Sequence, residues 1–597
     1  MIKRAAAVVC LIVFTFGLAS AQQSATTTAP ARKTTKKRAA PTSSVSAEIQ
    51  QLRGMVEQQQ RQIDDLKQQL VTRDQAVQSA QQQATAAQSA ATQAATKADT
   101  AAADAATAQQ TAASLKTDVG DLKGNATTTA LALQDEQKRV NEMVESPLTL
   151  HYKGITITPG GFLAAETAYR TRGTASDVNT PFTSIPFAGS GAEHLSEFFG
   201  SGRQSRISLL AEGKIQTAKL TGYFETDWLS AGVTSNNNQS NSYTNRQRQI
   251  WGQAALTNGW SFTGGQMWSL VTETKKGLDN RSEALPMTID AQYTVGFSWA
   301  RQYGFRVVRN FHNKAWFGLS VENPQTTLTT HGNLNNFFVG QAGTGGGLYN
   351  LNANYSLNFL PDFIGKVAFE PGFGHYEIFG IVSNFRDRVY PAVTSTTTSS
   401  AGVYNDVRTE GGAGANARWS VAQKHVDIGV HVLGGPAVGR YGTSGLSDVT
   451  VRPDGTLAPV HSYQALGTLE YHAKKWDIYG NAGGEYAGRT FYQSGARVTG
   501  YGSPTFSNAG CLVEVGPPVA GPANGFTPGA AGSCTADIRN LIEGTFGFWY
   551  KPYNGPKGRI QWGLQYSYLV KNTWRGVGGD PHAIDNLVFT SFRYYLP

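Results

Sequence analysis

The chain has 597 residues, of which 40% are hydrophobic and only 16% are charged. It is far too apolar for a disordered chain and less charged than an average globular protein, in which ~25% of residues are charged. The formal net charge of +9 is not gathered on one basic element, which argues against a nucleic-acid-binding protein. Three cysteines are too few for a disulfide-dense scaffold or a four-cysteine zinc site.

Residues 1–21 have the features of a secretory signal peptide. Lys3 and Arg4 precede an apolar run at 5–18, and the small residues 19–21 offer a cleavage site. The alternative is a short anchor helix, but the run is too short to span a bilayer. After cleavage no stretch of 18 or more apolar residues remains, so we expect no transmembrane helix.

The cysteines support export to an oxidising compartment. Cys10 lies inside the apolar run and leaves with the signal peptide. Cys511 and Cys534 are then the two cysteines of the mature chain, and we predict that they form a single loop-closing disulfide.

Residues 22–47 consist mainly of Ala, Thr, Ser and Pro with a group of basic side chains at 32–38. This composition predicts a flexible tail. A solvated linker is the favoured interpretation, and contact of the basic group with an anionic polymer such as peptidoglycan is the alternative.

Residues 48–145 are rich in Gln, Ala and Thr and contain neither proline nor an aromatic residue. Apolar side chains recur at alternating intervals of three and four, as at Leu115, Val119 and Leu122. A sustained period of 3.5 residues predicts an α-helical coiled coil of two or more chains, up to ~140 Å long. Such a helix has too little apolar area to be stable alone, so the segment predicts an oligomer.

From residue 147 to residue 597 the apolar period changes from 3.5 to 2. In one segment Leu220, Phe224 and Trp228 share one face, and the other face carries Lys219, Tyr223, Glu225 and Asp227. Such alternation fits a soluble β-sandwich, or a membrane barrel whose apolar face meets lipid and whose polar face lines a lumen.

Three features favour the barrel. Long polar linkers, such as 234–243, 394–405 and 502–535, alternate with tight turns such as 212–214, aromatic residues crowd the strand ends, and the chain ends within a strand. Only a closed barrel pairs every backbone group of a sheet in hydrocarbon. At ~28 residues per strand and loop we predict an all-β transmembrane barrel of about 16 antiparallel strands, wide enough for an aqueous channel.

Basic residues gather in the first third of this region, where residues 200–310 contain twelve basic and seven acidic residues. Arg246 and Arg248 lie two residues apart on one face. Charged faces of a barrel point inward, so these arginines predict a ladder that attracts carboxylates or phosphates. An equally weighted interpretation is a mixed lumen in which Glu225 and Asp227 neutralise the arginines. Lys219 lies on the same face of its strand, so we predict that it also faces the lumen and can bind anions.

Four short motifs follow in order along the barrel region, at 202–206 (GRQSR), 265–270 (GQMWSL), 321–324 (VENP) and 360–362 (LPD). With the coiled coil before the barrel, they resemble the porin family that includes the DcaP-like trimeric channels and, more distantly, the phosphate-selective porins. The resemblance covers roughly residues 150–390. The chain departs from it in two places: it ends on Pro597 rather than on an aromatic residue, and the loop between Cys511 and Cys534 is long.

This resemblance implies a homotrimer of 16-stranded barrels in the lipid of the bacterial outer membrane, with the coiled coil in the periplasm. It implies a loop folded into each pore and passive uptake of small anions. By the same resemblance the lumen arginines are Arg206, Arg246, Arg248 and Arg306. Residues 272–289 are then the constriction loop, which carries Lys275, Lys276 and Arg281.

The sequence does not predict an enzyme. The ten histidines are scattered, and the chain contains no His-Glu-x-x-His, Gly-x-Ser-x-Gly or Walker motif. We therefore expect no catalytic residues, metal or cofactor. Two alternatives stay open: a hydrolase whose Ser/His pair is assembled across strands, and a trimeric surface adhesin with the coiled coil as its stalk.

Overall fold

The computed structural model describes residues 149–230, 244–339, 357–394, 396–516 and 533–597, together with helical residues 107–124 and a few neighbours between 100 and 136. The predicted signal peptide at 1–21, the tail at 22–47 and most of the segment 48–145 lie outside the described residues. The chain divides into two units, Met1–Ala130 and Leu131–Pro597, which are described separately.

The first unit contains the helix at 107–124, all of whose side chains are exposed. Leu115, Val119 and Leu122 are 55%, 59% and 67% exposed. The helix lies where the 3.5-residue period predicts one, and its pairing with other helices stays a prediction. Within the described residues, no helix has the length and apolar character needed to cross a bilayer.

The second unit is one ring of sixteen antiparallel strands. In chain order they are β1 (Ile155–Arg170), β2 (Glu197–Ser201 and Arg206–Ile215, interrupted at 202–205), β3 (Ala218–Ser230), β4 (Thr244–Leu256), β5 (Trp260–Trp268), β6 (Arg301–Phe311), β7 (Ala315–Glu322), β8 (Asp362–Phe369), β9 (His375–Val389), β10 (Tyr404–Val421), β11 (Val426–Pro436), β12 (His461–His472), β13 (Trp476–Ala487), β14 (Ile538–Gly555), β15 (Gly558–Thr573) and β16 (His582–Tyr595).

The ring closes between the first and the last of these strands. β1 pairs with β16 from Phe162 opposite Tyr595 to Arg170 opposite Leu587. On its other side β1 pairs with β2. Each strand of the ring therefore has a partner on both sides. A sheet must be closed in this way to cross the hydrocarbon of a membrane, because an unpaired edge would leave backbone groups without hydrogen bonds. The prediction of about 16 antiparallel strands is confirmed, and the soluble sandwich is excluded.

Side chains alternate across the barrel wall as the period of 2 predicts. Outward positions are apolar and exposed, as at Leu163, Phe305 and Ile378. Inward positions are polar and buried, as at Glu166 and Gln565. An apolar exterior around a polar interior reverses the arrangement of a soluble protein and suits a barrel surrounded by lipid.

The connections differ at the two ends of the barrel. At one end they are short, at 216–217, 257–259, 312–314, 370–374, 422–425, 473–475 and 556–557. At the other end they are longer, and we number them L1 (171–196), L2 (231–243), L3 (269–300), L4 (323–361), L5 (390–403), L6 (437–460), L7 (488–537) and L8 (574–581).

Short elements stand outside the sixteen strands. Five 3₁₀ turns occur in the described chain, at Phe182–Ser184, Gly191–His194, Ala422–Lys424, Gly439–Tyr441 and Ala509–Cys511. The short strands are Leu150–Tyr152, which pairs with β1, Phe337–Phe338, which pairs with β9, and two hairpins, Val449–Val451 with Leu457–Pro459 and Thr490–Ser494 with Arg497–Tyr501.

Candidate functional site: the pore and the loop inside it

Loop L3 leaves the wall after β5, crosses the lumen and returns to β6. On the opposite wall, Val295 N donates a hydrogen bond to Glu543 Oε2 of β14 (2.8 Å), and Gly296 N donates to Glu485 Oε1 of β13 (2.9 Å). Ile289 N donates to Gln565 Oε1 of β15 (2.5 Å). The inward polar side chains of the far wall thus satisfy backbone donors of L3, which a buried loop requires.

Glycine permits this close approach. Gly296 has a φ of +86°, and a Cβ placed on it would lie 2.1 Å from Ala465 O of β12. A Cβ on Gly483 of β13 would lie 1.9 Å from Val295 O. Side chains at either position would push the loop away from the wall.

The first part of L3 forms a hairpin that packs against one side of the barrel wall. Thr274 bridges Glu283 to form a small hairpin, and Leu278 at its tip packs in a buried cluster with Val308, Trp316 and Ala368 of β6, β7 and β8. Gly277 N donates to Glu370 Oε1 in the short turn 370–374 (2.7 Å). The hairpin therefore reaches the short-turn end of the barrel.

A cavity of about 570 Å³ lies between L3 and another part of the wall. Its charged lining consists of five arginines and three carboxylates, namely Arg206, Arg248, Arg281, Arg559, Arg593, Glu225, Asp290 and Asp477. Because Asp477 and Arg559 lie at the short-turn ends of β13 and β15, the cavity extends from L3 toward that end of the barrel.

Three arginines in or beside this cavity form close ion pairs. Arg248 binds Glu225 through Nε (2.6 Å) and Asp227 through Nη1 (2.7 Å). Arg246 Nη2 lies 2.9 Å from Asp227 Oδ2. Arg593 Nη2 lies 2.7 Å from Glu166 Oε1. At this part of the wall the lumen is mixed in charge, in agreement with the second of the two interpretations.

The charges of the remaining arginines of the cavity are less fully neutralised by carboxylates. Arg206 Nη1 lies 3.6 Å from Glu225 Oε2. Arg281 and Arg559 stack on the rings of Tyr223 and Tyr595 at 5.0 and 4.1 Å, and neither forms an ion pair with any residue that the structure describes. The cavity therefore retains an excess of positive charge, which lies on both the loop and the wall.

Some of the predicted site residues line the cavity, and the others lie outside its lining. Arg206, Arg248, Arg281 and Glu225 line the cavity. Asp227 is fully buried behind it, where it receives Arg246 and Arg248.

The other predicted residues lie outside the cavity lining. Arg306 is buried under L3, where Nη2 donates to Trp268 O (2.5 Å) and Nη1 to Asn280 Oδ1 (3.4 Å). Lys219 pairs with Glu212 (2.7 Å) beside the short turn at 216–217. Lys275 and Lys276 are exposed on the hairpin of L3.

Sequence reasoning missed Arg559, Arg593 and Glu166. Arg559 and Arg593 line the cavity, and Glu166 pairs with Arg593 (2.7 Å), because β15 and β16 lie next to β1 once the ring has closed. The alternation of polar and apolar residues in the last strand places Arg593 on the inward face. Because the last strand of a closed barrel pairs with the first, this alternation could have predicted that Arg593 lies near β1.

Cys511 and Cys534 are joined by a disulfide within L7. The same part of L7 contacts L1, since Gly189 N donates to Cys511 O (2.8 Å). The bridge thus lies in the long-loop region of the barrel.

Among the described residues, a serine and a histidine from different parts of the chain are hydrogen-bonded in one buried row. Ser298 Oγ of L3 lies 2.8 Å from His431 Nε2, and His431 Nδ1 contacts Asn416 Oδ1. All three side chains are buried, and Gln464 Nε2 donates to Ser298 Oγ (2.6 Å). The cavity beside Gln464 measures about 10 Å³, too small for a substrate. The row fastens L3 to β10, β11 and β12 and does not support a hydrolase.

One cluster among the described residues has the spacing of metal ligands: Asp427, Glu470 and His472. The Arg418 guanidinium lies between its carboxylates, with Nη2 at 3.3 Å from Asp427 Oδ2 and 3.2 Å from Glu470 Oε2. A cation already neutralises these ligands, so the cluster does not fit a metal ion.

Comparison with known proteins shows the fold. No protein-family model matches the sequence, and no curated protein matches it. The outer membrane channel DcaP of Acinetobacter baumannii is 13% identical, with a TM-score of 0.50, over 75% of this chain and 99% of that chain.

Two further porins align over similar lengths but more loosely. They are the anion-selective porin from Comamonas acidovorans (10% identity, TM-score 0.39, 74% of this chain and 100% of that chain) and OprB of Pseudomonas putida (12% identity, TM-score 0.37, 76% and 96%). Scores this low support no inference. The barrel of this chain has the fold of the DcaP outer membrane channel.

Proposed function

We propose that this protein is an outer-membrane channel through which small hydrophilic solutes diffuse, with a preference for anions that carry carboxylate or phosphate groups. The closed ring, the apolar exterior and the cavity of about 570 Å³ beside L3 support a passage through lipid. L3 narrows that passage and gives it a charged boundary.

The observation that carries the preference for anions is the charge of the cavity lining, with five arginines against three carboxylates. The formal excess is two positive charges. Arg281 and Arg559 contribute most to the field felt by a solute, because they have no ion-pair partner among the described residues. In a narrow, low-dielectric passage such an excess concentrates anions.

The test is ion selectivity of the purified protein in a planar bilayer under a KCl gradient. The wild type should give a reversal potential of the anion-selective sign. The double variant Arg281→Glu/Arg559→Glu converts the lining to a formal excess of two negative charges. It should lower the anion-to-cation permeability ratio at least about twofold.

These positions are better choices than Arg246 and Arg248, whose reversal would leave Asp227 among buried like charges. Lys474→Glu, in the exposed turn 473–475, is the matched control and should leave selectivity unchanged. If the double variant keeps the selectivity of the wild type, the preference for anions is wrong. If the wild type carries no current, the channel itself is wrong.

The remaining proposals concern assembly and location. We propose that residues 1–21 direct export, that 22–47 form a linker able to contact peptidoglycan, and that 48–145 form a coiled coil in the periplasm. A homotrimer held through barrel and coil is the proposed assembly. The exposed apolar side chains of the helix at 107–124 support self-association.

A further inference from the structure

A second cavity lies on the outer surface of the barrel, at the end that carries the long loops. It is a groove of about 420 Å³ between β6, β7 and the part of L4 that precedes β8. Its volume is within the range of ~300–1,000 Å³ that is typical of small-molecule sites. The side chains that line it are mainly apolar or aromatic, and they include Tyr303, Phe305, Val321, Pro324, Phe359 and Leu360.

The lining of the groove faces away from the lumen. Tyr303 and Phe305 are 55% and 60% exposed, and they alternate along β6 with the buried residues Gly304 and Arg306. Val321, which is opposite Phe305 on β7, is exposed as well. The groove is therefore open to the medium around the barrel, which is lipid when the barrel spans a membrane. An apolar groove in this position fits an acyl chain.

Two arginines of β9 lie beside this groove. The Arg386 guanidinium lies over the Phe359 ring, 5.5 Å from its centroid. Arg388 is at the next outward position of β9, where it is exposed and donates to Asn405 Oδ1 (2.9 Å). Both positions are at the long-loop end of the strand. Arginine side chains at the end of a membrane-spanning element reach the headgroup layer, where they attract anionic headgroups.

The carboxylates of the barrel are placed where a neighbouring barrel cannot use them to pair with these arginines. By the alternation of side chains, every Asp and Glu of the sixteen described strands is at an inward position. The wall of a second copy therefore offers Arg386 and Arg388 no carboxylate. A lipid phosphate is a suitable partner, because a guanidinium binds two of its oxygens. Charge complementarity thus favours a lipid over a second barrel as the occupant.

We propose that this groove binds a membrane lipid with an anionic, phosphate-bearing headgroup, with an acyl chain in the groove and the phosphate at Arg386 and Arg388. The apolar lining recognises the chain, and the two guanidiniums recognise the headgroup. The proposal goes beyond solute diffusion, because this site is on the outer face of the barrel wall and the solute cavity is on the inner face.

The test is native mass spectrometry of the full-length protein in detergent, titrated with dioleoyl phosphatidic acid or with dioleoyl phosphatidylcholine. The two lipids have the same chains, but phosphatidylcholine has no net charge. The wild type should bind phosphatidic acid at least about tenfold more tightly. Arg386→Gln/Arg388→Gln should remove most of this preference, because both charge-assisted contacts are lost. Arg386→Lys/Arg388→Lys keeps both charges and should retain most of it.

A second variant tests the acyl chain. Val321→Trp fills the groove from an exposed position and should weaken binding of both lipids at least about threefold, because it takes the space of the chain. Val432→Trp, at an exposed outward position of β11, is its control. Arg408→Gln is the control for charge. Arg408 is at the same height on β10, but on the inner face, where Nε binds Asp406 Oδ2 (3.0 Å).

Heat-modifiable migration on gels verifies that each variant has folded. Equal affinity of the wild type for the two lipids overturns the proposal, as does an undiminished preference in Arg386→Gln/Arg388→Gln. Displacement of phosphatidic acid by inorganic phosphate at equal concentration also overturns it, because the chain would then contribute nothing.

Unchanged binding of both lipids by Val321→Trp contradicts the proposal too, and loss of the oligomer in that variant would identify the groove as an interface between copies. The assay measures no current. A protein that conducts anions but shows no lipid preference therefore disproves this site alone, and a protein that prefers phosphatidic acid but carries no current disproves the channel alone.

Discussion

The ion pairs of this barrel differ greatly in their exposure to water. Lys366 and Glu377 lie under L3 and are fully buried, with Nζ 2.6 Å from Glu377 Oε2. Lys366 also donates to Thr272 O, and Thr274 N donates to the other oxygen of Glu377. Because neither charged group is in contact with water, each is stabilised by its partner and by these hydrogen bonds.

Neutralising one member of this pair should therefore be costly. We expect Glu377→Gln to lower the free energy of unfolding by about 3–5 kcal/mol, because the Lys366 ammonium stays buried without its carboxylate. Glu212→Gln breaks the half-exposed pair with Lys219 and should cost less than about 1 kcal/mol. Guanidinium chloride unfolding in detergent, followed by tryptophan fluorescence, measures both. Equal midpoints for the two variants would contradict the argument.

At the level of elements, L3 is held by contacts along its length rather than by its ends alone. The hairpin at 274–283 packs on β6 to β9, and residues 289–296 bind β13 to β15. The loop therefore acts as a fixed partition of the lumen, and its position depends on close backbone packing.

Displacing this partition should alter the current. Gly483→Val places side-chain atoms where Val295 O lies, and overpacking of this kind costs about 1–3 kcal/mol. We expect frequent conductance fluctuations in single-channel recordings of a barrel that still folds. Gly544→Val on β14 is the control, because a Cβ there meets nothing within 4 Å. A Gly483→Val channel as quiet as the control would show that the close packing is not what holds L3.

At the scale of the whole molecule, the helix at 107–124 presents a stripe of leucine and valine to solvent. Leu115, Val119 and Leu122 lie on one face at coiled-coil spacing. Within the described part of the chain, no residue packs over these three side chains and buries them.

The coiled-coil proposal predicts that the stripe is covered by other copies. Leu122→Cys should cross-link full-length chains under mild oxidation, because equivalent residues of a parallel coil meet at its axis. Thr117→Cys, on the opposite face of the helix, should cross-link much less. Non-reducing gels report both. Cys511 and Cys534 do not interfere because they are already paired with each other, and Cys10 is replaced by serine in both variants. Equal cross-linking of the two variants would argue against the coil.

Local patterns were sufficient to predict the barrel. Alternation of polar and apolar residues and the unequal loops predicted the barrel, and the length of the region at ~28 residues per strand predicted about 16 strands. The structure places Arg206, Arg248 and Glu225 in the cavity lining. Arg306 was expected in the open lumen but lies under L3, because the path of L3 decides which inward side chains are covered. Arg593 joins the site only through ring closure. Both depend on contacts between distant parts of the chain, which no local pattern reports.

Because β1 pairs with β16, the ring can close only after the last strand of the barrel has formed. Ser591 Oγ donates to Glu166 Oε1 across 425 residues of sequence. Until the final strand arrives, the polypeptide carries two edges of unpaired amides and carbonyls, and each is a template for a second copy. A chain whose ring has not yet closed is therefore more prone to pair with another copy than the completed barrel is.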